Sequence, residues 1–340
     1  MNNERYLLVS LGSIGRRHLR NLRQLRPEAT IAVLRQQARI DDVALPEGAN
    51  VLFRDIEEAI AFAPAAAIIA GPASAHIPIA LRLAVGGVHL FLEKPISDSS
   101  DEVESLIDLC RTRELTLMVG YNLRFLPSLN QAKQCLESGL IGDVRMVRAE
   151  VGQYLPDWRP GIDYRQSVSA RAELGGGVLL ELSHELDYLY WFFGIPDFVT
   201  ARGGRYGDLE IDVEDTVELV MEYACPARLV SVHLDMIQRA PTRQCRFVGT
   251  EGTLLWDGLT DRIDLFQAGA GSWETIATQR FEDRNQMYIE ELAHFLRCVA
   301  QGGQPLINGR NGLDVLSVIQ AAKTSMAMSR SVGIGIHEIA

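Results

Sequence analysis

The chain has few cysteines and no usable arrangement of them: five occur in 340 residues, at positions 110, 135, 225, 245 and 298. An odd count excludes a complete disulfide framework, and the lack of any CxxC pair argues against a zinc knuckle, so reduced, buried thiols are the expectation. No apolar stretch reaches membrane-spanning length. Met1-Asn2-Asn3-Glu4-Arg5-Tyr6 also lacks the charged-then-apolar signature of a signal peptide. Positive charge is scarce as well. The formal net charge is −11 at pH 7 with histidine neutral, which argues against nucleic acid as the main ligand, because phosphate backbones are met by clustered Lys and Arg. Arg16, Arg17, Arg20, Arg23 and Arg26 form a local basic run. On a helix these spread over several faces, with Leu19, Leu22 and Leu25 between them, and they read as solvated helix surface. The remaining expectation is a soluble globular protein of the cytoplasm, with no nucleic-acid or membrane partner.

At this length a single core usually gives way to two domains. Residues 6–120 alternate short apolar runs, at 6–9, 31–34, 65–69, 88–92 and 115–119, with helical patterns around 14–26, 55–63, 75–86 and 98–113. Ser97-Asp98-Ser99-Ser100 supplies capping oxygens for the last of these. Such alternation implies an α/β domain with a parallel, doubly wound sheet. After residue 143 the pattern turns β-rich, with runs at 143–152, 216–223, 228–237 and 244–248, one strong helix at about 178–193, and two closing helices near 284–301 and 311–329. Consecutive strands without intervening helices imply a largely antiparallel sheet, hence an α+β domain. The expected division is 1–122 and 123–340.

The first strand runs into Ser10-Leu11-Gly12-Ser13-Ile14-Gly15 and then directly into a helix. In the dinucleotide fingerprint G-x-G-x-x-G, the middle glycine admits the pyrophosphate to the backbone and the last permits close helix–strand packing, while the helix N-terminus supplies donors. Gly12 and Gly15 fill those two places, and Ser10 stands where the pattern has its first glycine. A tight turn is the plain alternative, but the strand–loop–helix placement favours a dinucleotide. An acidic residue at the end of the second strand would accept from a ribose 2′-hydroxyl. This chain has Leu34-Arg35-Gln36-Gln37-Ala38-Arg39 there, with Asp41 and Asp42 too late for the role. Arg35 can pair with a 2′-phosphate, so NADP is favoured slightly over NAD.

Two further constellations carry chemistry. Glu93-Lys94-Pro95 closes the apolar run Val88-His89-Leu90-Phe91-Leu92, and the carboxyl ends of such strands are where open α/β sheets hold ligands. The lysine is a candidate catalyst, against the plain reading of a strand-end ion pair. Glycine-led Gly175-Gly176-Gly177 precedes a helix carrying Glu181, His184 and Asp187 at three-residue spacing, which places such neighbours on one face. An imidazole there can exchange a proton near neutral pH, with a carboxylate to orient it. A satisfied core histidine is the alternative. Metal binding at His184 finds no His-x-x-x-His or cysteine partner.

Taken with Gly120-Tyr121-Asn122-Leu123-Arg124-Phe125 and Gly249-Thr250-Glu251-Gly252-Thr253, these motifs resemble the Gfo/Idh/MocA oxidoreductase family over nearly the whole chain. The resemblance implies an N-terminal Rossmann domain and a C-terminal α+β domain whose open, mostly antiparallel sheet forms subunit contacts in a homodimer or homotetramer. It also implies hydride transfer between nicotinamide and a secondary alcohol of a sugar, polyol or related compound. Lys94 then stands beside nicotinamide and substrate hydroxyl, His184 is the motif histidine, and Lys94-Pro95 is a cis bond. Gly71-Pro72-Ala73-Ser74-Ala75-His76 looks like the loop lining the cofactor, through Gly71, Pro72, Ser74 and His76, although His76 could simply cap the next helix. Glu93 and Asn122 complete that wall. One departure concerns the acid. The usual motif has an aspartate four residues before the histidine; here Leu180 holds that place and Glu181 is the nearest carboxylate.

On this reading His184 is the general base and Lys94 polarises the oxygen, with Glu93 orienting Lys94 and the two main roles exchangeable. Substrate contacts are expected from the connector 154–165, through Trp158, Arg159, Asp163, Tyr164 and Arg165. Its aromatic platform, carboxylates and arginines suit an anionic or nucleotide-linked sugar. Arg124 can serve either ligand. Reduction of an imine or unsaturated ring, and a nicotinamide-binding regulator without turnover, are the alternatives; the joint presence of Lys94, Glu181 and His184 favours an enzyme.

Overall fold

The computed structural model describes residues 4–35, 44–276 and 280–335. The chain forms two compact units, Met1–Asn122 with Asp283–Leu313, and Leu123–Glu282 with Asp314–Ala340. The first unit therefore recruits residues 283–313, which a single division at 122/123 assigns to the second.

The first unit opens with strand β1 (Arg5–Val9), helix α1 (Ser13–Leu25), β2 (Thr30–Leu34), β3 (Val51–Phe53), α2 (Ile56–Ala61) and β4 (Ala66–Ile69). It continues through α3 (His76–Val85), β5 (His89–Glu93), α4 (Val103–Thr112) and β6 (Leu117–Gly120). The six strands form one parallel sheet in the order β3-β2-β1-β4-β5-β6. Helices cover both faces of such sheets, which is why β1, β2, β4 and β5 are near-continuous buried apolar runs rather than alternating ones. Local chemistry sets the helix ends. Asp55 caps α2 by accepting from the N–H groups of Glu57 at 2.7 Å and Glu58 at 3.2 Å. Helix α4 begins at Val103 rather than near 98, because Ser97 and Ser99 side chains accept from backbone N–H groups of Ser99 and Asp101 and close local turns first.

The second unit carries α5 (Pro127–Glu137), β7 (Val144–Gly152), α6 (Val178–Glu181), α7 (His184–Phe193), β8 (Phe198–Gly204), β9 (Thr216–Ala224) and β10 (Ala227–Asp235). Strands β11 (Thr242–Gly249), β12 (Gly252–Asp257), β13 (Arg262–Gln267) and β14 (Ser272–Ile276) follow. The chain then supplies α8 (Gln286–Gln301) to the first unit, while α9 (Gly309–Met328) contributes residues to both units and β15 (Val332–Gly333) ends the second. The sheet order is β14-β13-β12-β11-β7-β10-β9-β8-β15. Every pairing is antiparallel except β7 with β10. Its strands alternate: Val147, Ala149, Cys245, Phe247, Leu254 and Trp256 are buried on one face. The opposite face carries a register row running Phe198, Glu222, Leu229, Met146, Val248, Thr253, Phe266, Trp273, in which Phe198, Leu229 and Trp273 are about half exposed.

Within the first unit α8 turns one face inward through Met287, Glu291, Leu292, Phe295 and Leu296 and packs on α1. Asn285 and Asn21 exchange amide hydrogen bonds of 2.9 and 3.3 Å, and the Arg17 guanidinium lies 4.3 Å from the Tyr288 ring centre. Beyond α8, Val119 N–H donates to Ile307 O at 3.0 Å, so the 305–308 segment adds to the β6 edge. Cys110, Cys245 and Cys298 are buried, Cys135 is half-buried and Cys225 is exposed; all five are free thiols. Burial raises Cys110 to about 11. Among the described residues no helix is long and apolar enough to cross a membrane, and no group of three His, Cys, Asp or Glu side chains could hold a metal ion.

Candidate functional site

In the parallel sheet the strand order reverses between β1 and β4, and ligands of open α/β sheets sit outside the carboxyl ends of the strands at that point. The loops leaving those two strands are Ser10–Gly12 and Gly71–Ala75. Ser10 adopts φ 72°, the left-handed region that accounts for a glycine in the general pattern. Gly12 is the N-cap of α1 and no side chain caps the helix. The first-turn N–H groups, including those of Ser13, Ile14 and Gly15, therefore lack helical acceptors and face the loop with the positive end of the helix. A Cβ on Gly12 would meet nothing within 4 Å, whereas one on Gly15 would lie 2.3 Å from Ser10 O. Gly12 thus leaves room for an incoming group and Gly15 lets helix and strand touch, which is the donor set and the space a pyrophosphate needs.

Arg35 follows β2, and its N–H donates to Phe53 O at 3.0 Å beside the end of β3. Gln36 to Arg39, with Asp41 and Asp42, lie outside the described residues. Gly71, Pro72 and Ser74 are half-buried in the second loop. His76 differs from its expected place on the cofactor wall. It is buried, with Nδ1 3.0 Å from Pro95 O and Nε2 3.0 Å from Gly71 O. Burial pulls it below the ordinary histidine value, against the pull of the two carbonyls. Asn122 is likewise buried.

The Glu93-Lys94-Pro95 turn closes β5, and the Lys94–Pro95 bond is cis. Glu93 and Pro95 are buried while Lys94 between them is half-exposed. Glu93 Oε2 accepts from the Lys94 N–H at 3.2 Å, and Oε1 lies 2.5 Å from His18 Nε2. His18 went unnoticed among the arginines of α1. Its signal was its position three residues after Gly15 and one before Leu19, on the buried face Gly15, His18, Leu19, Leu22.

In the second unit the helix expected over 178–193 is two helices. Leu182 and Ser183 separate them, and the Ser183 hydroxyl donates to Leu180 O at 2.9 Å, a local bond that competes with the helical ladder. Glu181 therefore ends α6 and His184 begins α7, so the one-face argument from continuous helical spacing does not apply. Glu181 Oε2 accepts from Ser169 Oγ at 3.0 Å. His184 is half-buried. The two acids behind it are committed elsewhere. Glu185 pairs with Arg243 at 2.9 Å, and Asp187 takes Arg124 through Nη2 at 2.6 Å and through Nε at 3.0 and 3.1 Å. Burial pushes the Asp187 carboxyl up against the pull of Arg124.

Arg124 was expected to serve a ligand. It is buried instead, forked onto Asp187 and stacked near Tyr190 and Trp191. In the 154–165 connector, Trp158 Nε1 donates to Gln153 O at 3.0 Å, and Tyr164 Oη accepts from Glu210 N–H at 3.1 Å. Arg165 pairs with Asp163 at 2.8 Å and Glu210 at 3.3 Å, and its hydrogen bond holds the Asp163 carboxyl below the usual carboxylate value. Arg159 is half-buried.

A parallel sheet of this order, with a glycine-spaced loop entering a bare helix N-terminus, defines a dinucleotide-binding fold. Residues 5–121 match the profile of an oxidoreductase family with an NAD-binding Rossmann fold, and residues 129–255 match the Gfo/Idh/MocA C-terminal domain. The chain belongs to the Gfo/Idh/MocA family and is an NAD(P)-dependent oxidoreductase. It is 25% identical over 337 residues to myo-inositol 2-dehydrogenase of Thermotoga maritima, covering 96% of this chain and 97% of that one. It is 26% identical to a D-xylose 1-dehydrogenase (NADP(+)) of Haloferax volcanii, covering 90% and 91%. A levoglucosan dehydrogenase solved with NADH and L-sorbose superposes with a TM-score of 0.86 at 20% identity, over 98% of this chain and all of that one, and shares its fold.

Proposed function

We propose that the protein transfers hydride between a nicotinamide dinucleotide and a secondary hydroxyl of a sugar or polyol. The observation that carries the reading is the Glu93-Lys94-Pro95 turn. It places a half-exposed lysine between two buried neighbours at the carboxyl end of β5, in the same unit as a loop built for pyrophosphate. The Ser10–Gly15 loop and α1 hold the pyrophosphate through Gly12 and the first-turn N–H groups, with Gly71, Pro72 and Ser74 on the second loop. Nicotinamide, when bound, supplies the hydride acceptor. Lys94 donates to the hydroxyl oxygen and stabilises the negative charge that grows there, and His184 accepts the hydroxyl proton. Arg35 favours NADP, and an NADP-linked xylose dehydrogenase among the relatives supports that preference.

Trp158, Arg159 and Tyr164 are the proposed substrate contacts. The charge of Arg165 is offset by Asp163 and Glu210, so a neutral polyol suits the connector better than an anionic sugar. We also assign the exposed apolar row of the second unit's sheet to a second copy of the chain.

The test is a screen of sugars and polyols read by NAD(P)H absorbance with both cofactors. With the substrate so found, Lys94→Met and His184→Gln should each lower kcat/KM by about 10²–10⁴-fold. Near-wild-type turnover in both variants would sink the assignment. Tight cofactor binding without hydride exchange on any compound would favour the regulator.

A further inference from the structure

Lysine carries its charge on a flexible four-carbon stem, so the position of its head depends in part on how firmly the backbone beneath it is held. In the first unit the residues on both sides of Lys94 are held by buried imidazoles from different helices. On one side, Glu93 is a buried carboxylate at the end of β5, a costly position unless it is hydrogen-bonded. Besides the Lys94 N–H, the bond that secures it is the 2.5 Å contact to His18 Nε2. The His18 ring is fully buried and oriented by edge contacts with Phe91 at 5.2 Å and Tyr288 at 6.3 Å between centroids. Its Nδ1 is buried with no hydrogen-bond partner among the described residues. The proton therefore belongs on Nε2, pointing at Glu93. On the other side, His76 Nδ1 faces Pro95 O and its Nε2 faces Gly71 O.

The helices that supply these rings are the ones that follow the two loops at the switch point. His18 lies on α1, directly after the Ser10–Gly15 loop, and His76 opens α3, directly after the Gly71–Ala75 loop. We propose that His18 and His76 are positioning residues that clamp the Glu93-Lys94-Pro95 turn from both flanks and fix the Lys94 ammonium relative to the dinucleotide loops. The catalytic meaning of the clamp rests on the hydride-transfer reading, whereas its geometry does not.

The experiment reads Lys94 directly and needs no substrate. The chain contains three lysines, Lys94, Lys133 and Lys323, so reductive ¹³C-methylation gives a sparse NMR spectrum in which Lys94→Arg identifies one resonance. His18→Phe keeps a flat ring but removes the donor, and His18→Gln keeps a donor. In His18→Phe the Lys94 methyl signal should shift and broaden; His18→Gln should return it toward the wild-type position. In a Glu93→Gln background, His18→Phe should change the signal little further, because linked residues are not additive. His76→Leu should perturb the same resonance, and His76→Gln should restore it. A Lys94 signal indifferent to His18→Phe and His76→Leu, or one that moves equally with and without Glu93, overturns the clamp. Should the phenylalanine variant fail to fold, the ¹⁵N-histidine-labelled wild-type protein decides. A slowly exchanging, low-field imidazole N–H that vanishes in Glu93→Gln is expected, and its absence in the wild type overturns the proposal.

Turnover then separates the two readings. With a substrate in hand, His18→Phe should lower kcat by about 10–100-fold, the size of a slight misplacement of a reacting group, with NAD(P)H affinity within about threefold. A responsive Lys94 signal in a chain that turns over nothing removes the hydride-transfer reading and leaves the clamp. Turnover with an unresponsive Lys94 does the reverse.

Discussion

Gly12 and Gly15 stand three residues apart in one loop and meet opposite surroundings. A methyl on Gly12 points into open space, at an ordinary φ of −65°, whereas a methyl on Gly15 strikes the Ser10 carbonyl. Gly12→Ala should therefore leave the melting temperature unchanged while weakening NAD(P)H binding, and Gly15→Ala should cost about 1–3 kcal/mol of stability through overpacking. Thermal melts paired with cofactor titration by fluorescence would check both. Equal melting losses in the two variants would count against the space left at Gly12. These roles were legible in the sequence because six consecutive residues carry them. The partners of Glu93 and of Arg124 were not. His18 reaches Glu93 across 75 residues and Arg124 reaches Asp187 across 63, and such pairs exist only once the chain has folded. Arg124 in particular reads as a ligand residue until its partner is seen.

At the scale of elements, the apolar pattern over 178–193 continues through Ser183, so periodicity alone joins α6 to α7. One hydroxyl bonding to a carbonyl in the preceding turn breaks them. The parallel sheet was legible from its uninterrupted apolar runs. In the second sheet the alternation showed strands but not which strands pair, and the parallel contact of β7 with β10 depends on closing a long stretch of chain. Strand β10 also carries a titratable feature. His233 lies 3.0 Å from Asp235 and 2.7 Å from Glu218, and its bond to Asp235, helped by Glu218, lifts it to about 9 from 6.5. Against burial, which raises Asp235, His233 and the N–H groups of Ile237 and Gln238 hold that carboxyl low. A raised histidine stabilises the fold fully below its unfolded value and loses that contribution as pH rises through its folded value. The melting temperature should accordingly fall between pH 6.5 and about 9 in the wild type. His233→Gln should flatten that slope, and scanning calorimetry across the interval would show whether it does.

At the scale of the molecule, the row from Phe198 to Trp273 crosses eight strands on the face opposite the buried one and is apolar at six of its eight positions, with Glu222 and Thr253 among them. Exposed apolar side chains such as Phe198, Leu229 and Trp273 on one sheet face suit an interaction site, and a largely apolar row suits a two-fold contact between copies. Wild-type protein should sediment as a dimer or tetramer, and Leu229→Glu with Trp273→Glu should shift it to monomer without unfolding it. A monomeric wild type at micromolar concentration would remove that assignment. The division of the chain could be read at residue 122, where strand–helix alternation stops. The return of 283–313 could not, because an amphipathic helix does not announce which core its apolar face will join.

That return also bears on how the protein is made. Helix α8 lies on α1, and Ile307 completes the edge of β6, yet nearly the whole second unit is encoded between residues 122 and 283. On the ribosome the first unit's opening residues, though they emerge before the second unit, wait with one flank bare until Ile307 has been translated, so synthesis order and order of completion run opposite ways.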